Sequence, residues 1–330
     1  MKTVCAEQYG PPQTLMVKDV PDPSCGDDEV IVQVRAAGVG YVDGLLIQGK
    51  YQVKPPLPYF PGSEFAGVVS EVGREVSQWQ TGDRVMGLAS NGAYAEQLKI
   101  KAGALIGIPD GLDDAVAAGF FINYATALYG LRDCGDLQPG ENLLVLGAAG
   151  GVGSAAISVA KAMGARIIAG ASTPAKREAC LAWGADEVLD YTQEGWRDVL
   201  KAQCPNGLNM VYDPVGGQLS EAAFRSLAPG GRFLVVGFAA GDIPAIPLNL
   251  ALLKRSAIVG VDWGGEARAN PHINQQLLGT LMQWIDAGTL QPAPVHTQPM
   301  ADIRNALDNQ LNGQIVGKLV LMNDGEWTLR

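Results

Sequence analysis

The rhythm of apolar and polar positions changes partway along the chain. Up to residue 122, short apolar runs such as EVIVQVRA (Glu29–Ala36), EFAGVVSEV (Glu64–Val72) and RVMGL (Arg84–Leu88) are separated by turn-rich stretches, PDPSCGDD, KPPLP and SNG. That spacing predicts an irregular all-β unit, with no helical period before Asp113–Leu131. From Leu143 onward, apolar strands alternate with amphipathic helices. LLVLG precedes a helix at Gly151–Met163, RIIAGA one from Pro174 to Trp183, and EVLDY one near Trp196–Ala202. NMVYDPV, a helix around Leu219–Leu227, FLVVGF and an apolar strand at Ala257–Val261 complete the repeat. Strand and helix in strict alternation predict crossover connections and a doubly wound parallel sheet. The tail adds helices at Asn274–Ala287 and Ala301–Leu311 and a last strand at Lys318–Met322.

A chain of 330 residues exceeds what one core usually serves, so two domains are expected. Counting 24 cationic against 34 acidic side chains gives a net charge of −10, which repels nucleic acid phosphates. The start, MKTVCAEQYG, lacks a charged n-region followed by an apolar run, so a cytoplasmic protein is expected. Leu143–Ala160 carries no charge, yet its four glycines and two serines read as a buried strand, turn and helix rather than a membrane span. Five cysteines form no CxxC pair, and the only histidines are His272 and His296. Neither a disulfide framework nor a zinc site fits that distribution.

The richest segment is LVLGAAGGVGSAAISVAKAMGA, a strand, a glycine turn and a helix in the order a dinucleotide fingerprint requires. The GxGxxG spacing falls on Ala148, Gly150 and Gly153, with alanine in the first place. Backbone from Ala148 through Gly150, Gly151, Val152 and Gly153 is the expected pyrophosphate cradle, backed by the helix N-terminus. An NAD enzyme usually carries Asp or Glu about 20 residues on, to hold the ribose 2′-OH. This chain instead offers Ser172, Thr173 and Lys176 around Pro174, which suits the first helical position. A hydroxyl, a cation and a helix mouth together accept a 2′-phosphate, and Tyr191 closes the third strand nearby. NADPH is the expected cofactor.

Taken in order, DEVIVQVRAAGVGYVDGLLIQGKY, PGSEFAGVVSEVG, GDRVMG, GAYAEQ, NYATALYGL, the glycine turn, VYDPVGG, GGRFLVVGFAAG and VGKLVL resemble the medium-chain dehydrogenase/reductase superfamily. The resemblance is to its zinc-independent quinone oxidoreductase branch, related to zeta-crystallin. Zinc-dependent relatives carry GHE where this chain has Gly62-Ser63-Glu64. The resemblance implies an α/β protein with a GroES-like irregular β domain and a Rossmann domain. The boundaries expected are 1–122 with 265–330 for the first and 123–264 for the second. It further implies an active site in the cleft between them, near Tyr41, Asp43, Tyr51, Thr126, Gly237, Phe238 and Gly317, the last three beside the cofactor. Homodimers pairing through the edge strand at Ala257–Val261 are also implied. Two departures stand out. The family usually has GVN where Gly40 stands here, and often a tyrosine at Leu45.

In such enzymes the cofactor performs the hydride transfer, and the protein orients it. Tyr51 resembles the proton-donating tyrosine of enoyl thioester reductases, although a cleft-wall aromatic fits it equally; Thr126 and Tyr41 are the other candidate catalytic residues. The leading expectation is a metal-free NADPH:quinone reductase acting on a small electrophilic carbonyl. Reduction of an enone or an enoyl thioester is the alternative, with Lys50, Lys54, Lys254, Arg255 and Arg268 as candidates for a coenzyme A ester. A third reading is an NADPH-binding protein without turnover.

Overall fold

The computed structural model describes residues 1–270 and 272–330. They form two compact units, Met1–Ile122 with Pro294–Arg330, and Asn123–Ala293.

In the first unit β1 (Lys2–Cys5) and β2 (Met16–Asp19) form an antiparallel pair. β3 (Glu29–Gly38) is followed by a two-turn helix, α1 (Tyr41–Ile47), then β4 (Glu64–Val72), β5 (Arg84–Leu88), β6 (Gln97–Lys101) and β7 (Leu105–Gly107). Sequence periodicity predicted no helix here. α1 is too short to display a period, and it is fixed instead by the Asp43 carboxylate, which accepts the N–H of its N-cap Gly40 at 2.9 Å. The single helix expected over 113–131 is also corrected. It divides into α2 (Asp114–Ala118) and α3 (Phe121–Leu128), and α3 runs into a π-helical turn, Tyr129–Cys134. The break falls at Gly119, where a Cβ would lie 2.7 Å from Cγ of Lys318.

The second unit continues with β8 (Asn142–Val145), α4 (Gly151–Ala162), β9 (Arg166–Gly170), α5 (Pro174–Ala182), β10 (Glu187–Leu189) and α6 (Trp196–Gln203). β11 (Leu208–Asp213), α7 (Gln218–Phe224), β12 (Leu227–Val235), α8 (Leu248–Lys254) and β13 (Ala257–Gly260) follow. Its six strands are all parallel, in the order β10-β9-β8-β11-β12-β13. Strand order reverses beside β8, the switch point at which doubly wound sheets bind nucleotides. Leu144, Ile168, Val211, Phe224 and Phe233 fill the core on this sheet.

The return to the first unit comes later than residue 265. α9 (Trp263–Ala269) and α10 (His272–Asp286) belong to the second unit, because their side chains are tied there. Trp263 Nε1 donates to Asn274 at 3.0 Å, Arg132 reaches Thr280 at 3.3 Å, and the Ala293 N–H donates to the Tyr124 hydroxyl at 2.8 Å. From Pro294 the chain adds β14 (Val295–Pro299), α11 (Ile303–Leu311) and β15 (Lys318–Met322) to the first unit. Its larger sheet then runs β14-β15-β3-β4-β5-β7, with β6 also on β3. Phe65, Val32, Leu319 and Met300 lie in the core of that unit. Among the described residues no helix is long and apolar enough to cross a membrane.

Candidate active site

In the second unit the carboxyl end of β8 turns through Gly147, which adopts φ +57°. Ala148 N–H donates to Gly170 O at 3.0 Å, and Gly150 N–H to Gly147 O at 2.9 Å, folding the turn tightly under the start of α4. Gly153 must lack a side chain: a Cβ there would stand 2.5 Å from Gly147 O and 2.7 Å from Ala148 Cα. At Gly150, by contrast, a Cβ would meet only Gly147 O, at 3.4 Å, so the space before the helix is open. Gly151, Val152 and Gly153 form the first turn of α4, whose amides have no acceptor within a helix. An open cradle with outward amides at a helix N-terminus fits a pyrophosphate.

One strand over, Thr173 caps α5, its Oγ1 accepting the Lys176 N–H at 3.3 Å, with Pro174 in the first helical position. Ser172 and Lys176 are half-buried beside this mouth. The Tyr191 phenol is hydrogen-bonded to the Ser172 hydroxyl; burial pushes it above its usual value, against that bond. The Tyr191 ring lies so close to Gly170 that a Cβ there would be 3.0 Å from its Cδ1. The sequence missed how the acid is handled. Although β9 ends without a carboxylate, Asp190 arrives from the end of β10 and pairs with Arg177 at 2.9 Å. Arg177 also donates to Ala171 O at 3.0 Å. Hydrogen bonds from the Thr192 hydroxyl and amide, with Arg177 alongside, hold the Asp190 carboxyl below its usual range. Asp190 and Arg177 are thus committed to each other and to loop structure.

At the ends of β11 and β12, buried Asp213 accepts the N–H groups of Val215 and Gly216 at 2.8 and 2.9 Å and the Ser220 hydroxyl at 2.6 Å. It shapes the DPVGG turn, in which Gly216 and Gly217 take φ of +73° and +63°. Gly237 N–H reaches Asp213 O at 3.2 Å, and Phe238, 40% exposed, follows it. In sequence Asp213 shows only as a lone acid before a glycine pair in VYDPVGG, a signal that does not reveal these bonds. Thr126 is a half-buried hydroxyl within α3, not at its start. Gly317, buried at φ +78°, stands just before β15 in the first unit.

The first unit gathers a second polar cluster. Asp43 is 4% exposed; its Oδ2 accepts from Gly40 N and from the Tyr94 hydroxyl, both at 2.9 Å, and its Oδ1 from the Ser63 hydroxyl at 3.4 Å. Burial pushes the Asp43 carboxyl up, the bonds from Gly40 and Tyr94 opposing it. The Tyr94 phenol is driven well up by burial and by Asp43 beside it. Glu64 and Lys318 pair at 2.6 Å, and the other Glu64 oxygen accepts the Ile122 N–H at 2.5 Å in the first turn of α3. Gly38 makes room for that pair: a Cβ there would lie 2.9 Å from Glu64 Oε2. Tyr41 opens α1, half-buried, while Tyr51 stands 36% exposed on the irregular segment after it. Among the described residues no three His, Cys, Asp or Glu side chains are grouped to hold a metal.

A parallel sheet in Rossmann order with a glycine turn at its switch point, on the same chain as an irregular β unit, is the architecture of a medium-chain dehydrogenase or reductase. Residues 26–127 match the family profile "Alcohol dehydrogenase GroES-like domain", and residues 151–281 the profile "Zinc-binding dehydrogenase". Quinone oxidoreductase-like protein 2 of Rattus norvegicus is 34% identical over 320 residues, spanning 96% of this chain and 91% of its own. The crystal structure of Escherichia coli quinone oxidoreductase complexed with NADPH is similar with a TM-score of 0.88 at 26% identity, over 98% of this chain and 100% of that one. That of CurK enoyl reductase is similar with a TM-score of 0.87 at 26% identity, over 97% and 98%. The chain belongs to the zinc-independent, quinone oxidoreductase-like family of medium-chain dehydrogenases/reductases, and it is an oxidoreductase.

Proposed function

We propose that this protein is an NADPH-dependent reductase of quinones and similar small electrophilic carbonyls. The observation that carries the cofactor choice is the mouth of α5. Ser172, Tyr191, the Thr173 cap and Lys176 converge where an NAD enzyme would place an acid, while the acid that does arrive, Asp190, is taken up by Arg177. In this reading Lys176 and Ser172 hold the 2′-phosphate, and the first-turn amides of α4, from Gly151 to Gly153 after Ala148 and Gly150, hold the pyrophosphate. Gly237 and Phe238 line the nicotinamide end together with Thr126. When bound, the reduced nicotinamide supplies the hydride. Tyr41 and Tyr51 form walls for the acceptor. The exposed Tyr51 phenol lies on an irregular segment and makes no hydrogen bond among the described residues, which suits a wall better than a proton relay.

NADPH oxidation measured against ortho- and para-quinones, enones and enoyl-CoA esters tests this. Quinone turnover with NADPH preferred over NADH is expected; turnover on thioesters alone would reassign the substrate. That second reading draws on the similarity to CurK enoyl reductase. Of the basic residues it would use, Lys254 is already spent on Leu227 O at 2.6 Å.

We also propose that two copies pair through β13. Among the described residues this strand ends the sheet, bonded to β12 alone, and Ile258 on it is exposed. Leu248, Leu252 and Leu253 on α8 and Ile243 before it are each more than 70% exposed. An open edge beside so much apolar surface is otherwise a pairing hazard. Sedimentation should give a dimer that Ile258→Lys dissociates.

A further inference from the structure

The helix α1 is tied into the first unit by a carboxyl that has no counter-ion. Asp43 is 4% exposed, and among the described residues its polar contacts are hydrogen bonds alone. Lys318, a cation whose field reaches it, is paired with Glu64 at 2.6 Å. Asp43 Oδ1 accepts the Ser63 hydroxyl at 3.4 Å, and Oδ2 the Gly40 N–H at 2.9 Å. The Tyr94 hydroxyl stands between two acceptors, Asp43 Oδ2 at 2.9 Å and Gly38 O at 3.2 Å. A phenol has one hydrogen to give. With Asp43 ionised, that hydrogen is divided between the two. With a proton on Oδ2, Asp43 donates to the Tyr94 oxygen and Tyr94 donates to Gly38 O, so each bond has a hydrogen of its own.

A separate observation concerns the ionised state. The Tyr59 hydroxyl, in a residue only 5% exposed, lies within the field of Asp43 yet has no hydrogen-bond partner. The cluster as built therefore leaves a buried donor unused beside the carboxyl it could serve. The other groups facing Asp43 are Tyr94, Lys318, which favours its anion, and Glu64, which opposes it. Burial pushes the Asp43 carboxyl up, against the bonds from Gly40 and Tyr94. A buried carboxylate without a counter-ion is costly, and it lowers that cost by reaching water. The element able to yield is α1. It has two turns and is seated on α11, where a Cβ on Gly44 would lie 2.8 Å from Leu311 Cδ2. Lys50, Tyr51, Val53 and Leu57 on the segment after it are exposed, so little holds that side.

We propose that a proton on Asp43 latches α1 to the first unit and that its loss frees the helix and the segment after it. In the latched form the chain from Asp43 through Tyr94 to Gly38 O joins α1 to the end of β3. When the proton leaves for solvent, Tyr94 turns to the carboxylate and Gly38 O loses its donor. α1 then lifts until water reaches the carboxylate. Tyr41 opens α1 and Tyr51 stands on the following segment, so both move with the latch. The latch works through the first unit alone, whatever the protein reduces. Its sign follows from linkage. A carboxyl whose folded value lies above its unfolded one stabilises the protein fully below the unfolded value of 3.8, and that stability is lost as pH rises through the folded value.

Hydrogen exchange of the whole chain, read by mass spectrometry from mildly acid to alkaline pH, tests the latch. Exchange in a peptide spanning residues 40–58 is divided by that of a β4 peptide at each pH, which cancels the chemical dependence of exchange on pH. Protection of 40–58 relative to β4 should fall by up to about tenfold per pH unit once Asp43 ionises. Asp43→Asn keeps an N–H for Tyr94 at every pH, so its ratio should stay constant. In urea unfolding the unaltered protein should lose stability against Asp43→Asn as pH rises, and the two should agree in acid. A constant ratio in the unaltered protein, or a fall that persists in Asp43→Asn, overturns the latch. Should Asp43→Asn fail to fold, Tyr94→Phe replaces it. Removing the phenol breaks the chain to Gly38, so the midpoint of the fall should move, and an unmoved midpoint also overturns the latch.

Discussion

The two ends of the parallel sheet in the second unit are built from different materials. At the amino end, side chains do the joining. Arg166, at the start of β9, donates to Asn142 at 2.8 Å, to the Cys204 sulfur at 3.2 Å and to Gln203 O at 3.2 Å, and it pairs with Glu187. Arg232 grips both oxygens of Glu141, just before β8, and Asn209 caps the Asn142 N–H at 2.9 Å. At the carboxyl end the connections run instead through backbone and glycine: Gly147 to Gly153, Gly170, Gly216, Gly217 and Gly237. A doubly wound sheet binds its ligand at the carboxyl end. There the chain leaves amides and space around the Asp190–Arg177 pair and the Asp213 turn, while Arg166–Glu187 and Arg232–Glu141 stand at the opposite edge. Changes at the amino end should therefore alter stability and leave cofactor affinity alone, and changes at the carboxyl end the reverse.

Gly153→Val gives the largest effect. Its side chain would press on Gly147 O and Ala148 from closer than real Cβ atoms approach. Overpacking of this kind costs roughly 1–3 kcal/mol, and relief by opening the turn moves the amides of the cradle. NADPH affinity should fall by about a hundredfold or more in a fluorescence titration, beyond any loss of melting temperature. Lost stability with unchanged affinity would break the contrast between the two ends.

Arg166→Met comes next and tests the other edge. Removing a guanidinium bound to four groups, about a third of it exposed, should cost about 2 kcal/mol in urea unfolding. KM for NADPH should stay put, and a rise in it would mean the two ends are coupled. Lys176→Ala is smaller and confined to the carboxyl end. A charge-assisted phosphate contact is worth about a tenfold change in Kd for NADPH, with NADH unaffected. Equal losses for both cofactors would remove the 2′-phosphate assignment.

These contrasts explain which parts of the molecule could be read in advance. The glycine turn and the strand–helix alternation are local signals, because each residue acts on neighbours within a few positions. Thr173, Pro174 and Lys176 could likewise be placed from their spacing, since helix capping is local. What escaped reading depends on residues far apart in the chain. Asp43 meets Ser63 and Tyr94, Glu64 meets Lys318, and Asp190 meets Arg177 only after the strands pair. The late return at Pro294 was hidden for the same reason: the period of α10 reports an apolar face and says nothing of which unit receives it. α1 was missed because two turns held by one carboxylate leave no periodic trace.

The finest distinction between the two edges is in their response to acid, and Glu141 supplies it. Burial pushes the Glu141 carboxyl up, but the Arg232 guanidinium and the Gln138 N–H pull it further down, leaving it below its ordinary 4.5. A carboxyl whose folded value lies below its unfolded one stabilises the protein above the unfolded value, and that contribution is lost as pH falls through 4.5 and below. Glu141→Gln should therefore be less stable than the unaltered protein at neutral pH, by under about 1 kcal/mol for so partly exposed a pair. The two unfolding curves should converge as the solution is acidified below that value. NADPH affinity at neutral pH should be the same in both, since the pair stands at the edge away from the glycine turn. A gap that persists undiminished in acid would show that Glu141 contributes through packing instead of charge, and the amino edge would then owe its stability to shape.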